Sequence, residues 1–174
     1  GARLASLCGE ISVNDIGKGS SQVEHTAFYE YLDFDGAALF TAVFLPKPEG
    51  RFPTVIIRHP YLDVDRERTE EEILRLRLPD QAHWLDAGYA VVLQHCRGTG
   101  KSGGDFVPYL AEREDGLALQ NWIRRQSFYN RELYLFGSSY TSSVHFVTAP
   151  FASDIKGAVL QVQTCERYDC NYRN

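Results

Sequence analysis

The sequence contains no methionine, four cysteines and two tryptophans among 174 residues. A chain opening on Gly1 does not open on a translation start, which points to processing or to a piece of something longer. Cys8, Cys96, Cys165 and Cys170 are too few for a disulfide scaffold and lack the paired spacing of a zinc site, so they are read as free thiols. No stretch approaches the roughly 20 uninterrupted apolar residues of a membrane span, and GARLASLCGEISVND lacks the basic start and long apolar run of a secretory signal. A cytoplasmic protein without a membrane partner is expected. Basic charge is scarce too: a formal net charge of −5 argues against nucleic acid, whose recognition needs a concentrated basic face. A small or neutral ligand fits better, and self-association stays open.

What is present is apolar material. At 44% hydrophobic and 13% aromatic, the chain can build the core of one ordinary domain. Residues 1–22, with glycine and serine around Gly17, Lys18, Gly19, Ser20 and Ser21, read as a loosely held lead-in, and residues 23–174 as the folded unit. HTAFYEYLDFDGAALFTAVFLP alternates apolar and polar residues on both sides of Asp35-Gly36, predicting an antiparallel hairpin. PTVIIRHPY, YAVVLQHC, ELYLFG and GAVLQVQ predict four further strands, six in all. Between them, RERTEEEILRLRL predicts an amphipathic helix with a Thr69/Glu72 capping box, stopped by Pro79, and DQAHWLDAG a second short helix closed by Gly88. REDGLALQNWIRRQ and SYTSSVHFVTAP predict two more. Helices alternating with strands after an initial hairpin imply an α/β layered sheet, mostly parallel.

The chemistry concentrates in LYLFGSSYTSSVHF. Gly137-Ser138-Ser139 places a serine two residues after a glycine, where a strand must swing into a helix, the setting of a nucleophile elbow. A side chain at position 137 would collide with the incoming helix, whose free N–H groups and dipole favour an oxyanion. Ser139 is therefore the candidate nucleophile. Thr141 stands where a second glycine would complete the GxSxG form, and the competing reading is a serine that only caps its helix.

Four segments, PTVIIRHPY, WLDAGYAVVLQHCRGTGKSGGDF, REDGLALQNWIRRQ and LYLFGSSY, resemble in order and spacing the α/β-hydrolase family of the X-prolyl dipeptidyl-peptidases, cocaine esterase and the α-amino-acid ester hydrolases. The resemblance runs from about Tyr31 to about Gln163. It implies the N-terminal part of an α/β-hydrolase catalytic domain over residues 23–174, with an incomplete sheet. It implies a serine hydrolase acting on a small-molecule or peptide acyl substrate, esterase or X-prolyl peptidase, without cofactor. Ser139 would be the nucleophile, and the Tyr140 amide and the Tyr61 phenol the oxyanion hole. Tyr61 also falls just past the carboxyl end of a predicted strand, where sites in open α/β sheets form. Two departures stand out. His95 replaces the family's usual aspartate, which should cost Arg97 its ion-pair partner and loosen the loop, and Ser142 replaces a glycine, which should loosen helix packing.

A serine needs a base, normally histidine oriented by a carboxylate, and in this fold class the chain order is serine, acid, histidine. The only histidine after Ser139 is His145. In a helix it would be rotated by about 240° and advanced by about 9 Å from the serine, out of reach. His59 and His95, at the carboxyl ends of strands, could serve only as unusual bases, and the simpler expectation is that acid and histidine lie further on. Asp154, Glu166 and Asp169 follow the serine without a histidine behind them. Two rivals remain. RGTGKSGG ends like a phosphate-binding loop but has His95 where the pattern needs glycine. Alternatively, the chain keeps a hydrolase scaffold as a non-catalytic interaction module.

Overall fold

The computed structural model describes residues 8–13 and 25–162. In chain order they form β1 (Cys8–Val13), β2 (His25–Phe34), β3 (Ala37–Leu45), β4 (Phe52–His59), α1 (Glu70–Asp86), β5 (Ala90–His95), α2 (Glu112–Ile123), β6 (Tyr129–Ser138), α3 (Tyr140–Phe146) and β7 (Ile155–Gln161). The strands make one sheet ordered β1-β2-β3-β5-β4-β6-β7. β1, β2, β3 and β5 pair antiparallel in sequence, whereas β5, β4, β6 and β7 are parallel. Strands β2, β4, β5, β6 and β7 therefore point one way, an α/β sheet of the expected kind.

Local chemistry accounts for the main joints. Asp35 and Gly36 both take positive φ, 50° and 74°, the combination whose twist suits a two-residue hairpin. Thr69 Oγ1 accepts from the Glu72 amide and Glu72 Oε2 from the Thr69 amide, so the capping box starts α1. Gly88 closes that helix at φ 86°. Strand residues then alternate between two layers. Val91 and Leu93 of β5 join Val55 and Ile57 of β4 beneath Ile73, Leu74, Leu78 and Leu85 of α1. Ala90, Val92 and Ile56 face the other way, onto Leu119, Trp122 and Ile123 of α2. Apolar residues on both faces explain why β4 and β5 read as continuous runs.

Two expectations need correction. Pro79 does not stop α1, which continues through Asp86 as one 17-residue helix and absorbs the separate helix expected over DQAHWLDAG. Pro79 and Arg75, whose carbonyl loses its partner, are both exposed, so water can replace the missing hydrogen bond. Within the expected lead-in, Cys8–Val13 forms a seventh strand, β1, paired with β2. The remainder of the lead-in lies outside the described residues, as do Cys165 and Cys170.

Candidate active site

β6 ends at Ser138, and the chain reverses into α3 through Ser139, whose φ of 55° and ψ of −125° are unusual for any residue but glycine. Gly137 makes the turn sterically accessible. A Cβ there would fall 2.3 Å from the Thr141 carbonyl oxygen and 2.7 Å from the Ser142 amide nitrogen. The helix thus packs tightly with Ser142 fully buried, contrary to the looseness expected from a serine at that position. Thr141 braces the bend. Its hydroxyl accepts from the Ser138 amide at 2.6 Å and donates to the Ser138 carbonyl. The Ser139 amide donates to Gln161 O on β7 at 2.9 Å, and its carbonyl accepts from the amides of Ser142 and Ser143. The Ser139 side chain makes no capping hydrogen bond and the residue is exposed, so the capping reading does not describe this serine.

Tyr140 turns its ring inward. Its phenol donates to Glu112 Oε1 at 3.0 Å and accepts from the Tyr109 amide at 2.8 Å. Burial raises its pKa, so the phenol stays protonated. As the first helical residue, Tyr140 has an amide with no carbonyl one turn back to bond. Tyr61 follows β4, the strand beside β6, so the two residues sit beyond the carboxyl ends of adjacent parallel strands. It is 57% exposed, its ring meets His59 edge-on at 5.5 Å, and its amide donates to His59 Nδ1.

The histidines are held by other groups. His145 is buried with Nε2 3.2 Å from Phe136 O, and burial followed by the nearby Arg58 charge pushes it down to about 3. Burial, with the charges of Arg77 and His95, pushes His59 down to about 4. His95 is enclosed against the Phe40 ring; its Nδ1 accepts from the Lys101 amide and its Nε2 lies 3.4 Å from Asp65 Oδ2. Burial would raise the Asp65 carboxyl, but the adjacent His95 imidazole and two hydrogen bonds from Arg77 outweigh it and hold it below the carboxylate range. His25 contacts Pro46 O and Asp86, and His83 packs at a tilt against Trp84.

The loop after β5 is well fastened, and the expectation that it would be loose is corrected. Arg97 forks onto Asp115 of α2 at 2.6 and 3.0 Å and donates to Phe34 O. Lys101 and Ser102 are absorbed by the same packing: Ser102 Oγ donates to His95 O and accepts from the Phe40 amide, and the next helix begins only at Glu112. A phosphate-binding loop would need that helix at once. Sequence reasoning did not foresee Arg58, a fully enclosed cation on β4. It donates to Gln94 Oε1 and to Glu112 O, with Nη1 2.8 Å from Glu112 Oε2 and Nη2 3.8 Å from Asp115 Oδ2. The only signal was one arginine in the apolar run VIIR. Among the described residues no group of three or more acidic, histidine or cysteine side chains is arranged to hold a metal, and no helix is long and apolar enough to cross a membrane.

Comparison with known proteins places this geometry in context. The family model described as X-Pro dipeptidyl-peptidase (S15 family) matches residues 35–174. Cocaine esterase from Rhodococcus sp. (strain MB1 Bresler) is 32% identical over 111 residues, 61% of this chain but only 18% of that protein. A CocE/NonD family hydrolase from Staphylococcus aureus superposes with a TM-score of 0.62 at 23% identity over 87% of this chain and 29% of its own. An α-amino acid ester hydrolase gives 0.58 at 22% identity, over 88% and 24% respectively. The chain thus spans less than a third of each of these relatives.

Proposed function

The chain belongs to the X-Pro dipeptidyl-peptidase (S15) family, and from that premise we propose that it serves hydrolysis of an ester or amide through an acyl-enzyme on Ser139. Ser139 Oγ attacks the carbonyl carbon as its proton passes to a base, and the tetrahedral oxyanion accepts hydrogen bonds from the Tyr140 amide and the Tyr61 phenol. The bond to the leaving alcohol or amine breaks as that group takes the proton. Water then attacks the acyl carbon, releasing the acid and restoring the serine.

The observation that carries this reading is the exposed Ser139 at φ 55°, on a turn that Gly137 alone keeps free of collision and with its side chain uncommitted to capping. The base is assigned to sequence following this chain. His145, the sole histidine after Ser139, faces the core, and the curated relative is far longer than the matched segment. No cofactor is invoked. A cytoplasmic setting remains part of the proposal.

A fluorophosphonate probe applied to the full-length protein tests it. Rapid labelling that disappears in Ser139→Ala is expected, and Tyr61→Phe should lower ester turnover by about 10²–10³-fold, the usual effect of losing one oxyanion donor. The enclosure of His95 and His145 favours a second reading, a hydrolase scaffold without catalysis. Absence of labelling in the full-length protein supports that alternative.

A further inference from the structure

The two ends of Tyr140 do different things. Its amide faces the turn that presents Ser139, while its phenol is held deep between helix and sheet by Glu112 and the Tyr109 amide. The ring packs against Tyr109 at 4.9 Å and Phe106 at 5.8 Å. Glu112 is in turn fixed: it is 4% exposed and bound through both its carbonyl and its carboxyl group by Arg58, which is 1% exposed. Arg58 is tied to Gln94 on the neighbouring strand, and Gln94 donates to Thr41 on the strand beyond. Tyr140 is thereby anchored to β4, β5 and α2. On the other side of the turn, the Ser139 amide is anchored to Gln161 on β7. The peptide linking Ser139 to Tyr140 is gripped from both directions.

Stability alone does not explain so much buried charge, because an enclosed ion pair can often be replaced by apolar side chains at no loss. Orientation does. Hydrogen bonds weaken steeply as they bend, and misplacement of a reacting geometry by about 1 Å can cost about 10²-fold in rate. We propose that Glu112 is a positioning residue for acyl transfer: through the Tyr140 phenol it fixes the Tyr140 amide that receives the oxyanion. This rests on the reading of Ser139 as nucleophile given above.

The test uses the full-length protein, with p-nitrophenyl butyrate for kcat and KM and a fluorophosphonate for Ser139 reactivity. Tyr140→Phe removes the phenol and leaves the Arg58–Glu112 pair intact, so it should fold. Its kcat should fall about tenfold with KM within about twofold, the pattern of a lost transition-state interaction. Glu112→Gln keeps an acceptor oxygen and should stay within about threefold of wild type. Glu112→Leu should match Tyr140→Phe, and the double variant should be no slower than Glu112→Leu. A thermal melt of each variant separates these effects from loss of fold. Tyr140→Phe with unchanged kcat, or with its loss confined to KM, overturns the positioning role while Ser139 labelling persists. If the wild-type protein is not labelled at Ser139, the acyl-enzyme reading fails and this inference fails with it.

Discussion

Gly137 and Ser139 share the difficulty of the turn in different ways. Gly137 removes atoms where helix and strand nearly touch, whereas Ser139 accepts a backbone conformation that side chains disfavour. The crowding at Gly137 comes from backbone atoms, which cannot swing aside as a flexible side chain would. Gly137→Ala should therefore destabilise the fold by about 3 kcal/mol, the upper end of the usual overpacking range, and urea unfolding would read it as a lowered midpoint with unchanged slope. This corner was legible in the sequence because both residues answer to purely local demands. Arg58 was not. Its burial depends on Gln94, Glu112 and Asp115, residues 36 or more positions away, and no local pattern announces such a meeting. His95 misled for the same reason: the acid it displaced seemed to leave Arg97 alone, yet Asp115 arrives from α2 to take that role.

Among the elements, α1 separates what local rules decide from what the surroundings decide. Its start obeyed the capping box, and its end obeyed Gly88. Its middle defied the proline rule because Leu74 and Leu78 on one side of Pro79, and Leu85 on the other, are all drawn into one core cluster. Packing along the whole length outweighs one missing hydrogen bond on the wet face. Pro79→Ala should then stabilise the protein, by about 1–2 kcal/mol once the stiffer unfolded chain of the proline form is discounted from the interior-proline penalty. A rise in thermal midpoint would show it, and a fall would mean that the kink itself is needed. β1 escaped notice for the opposite reason. CGEISV is short, precedes a glycine- and serine-rich stretch, and becomes a strand only by pairing with β2.

For the molecule as a whole, acid sensitivity follows from its enclosed imidazoles. His59 and His145 stay neutral in the fold down to about 4 and about 3, against an ordinary value of 6.5. Between these limits the unfolded chain binds protons that the folded chain refuses. Their contribution to stability is thus complete above pH 6.5 and is lost progressively as the pH falls toward 4. Urea midpoints measured at about pH 7.5 and about pH 5 should drop with acidification, and the drop should shrink in His145→Gln. The sheet order carries a consequence of its own. β4 lies between β5 and β6, both of which are synthesised after it, while β3 must wait for β5. On the ribosome the first hairpin can form early, but β4 emerges with neither of its flanking partners. The corner bearing Ser139 is consequently assembled only once β6 has emerged to flank β4, and a nascent polypeptide halted before β6 would carry an unfinished central strand.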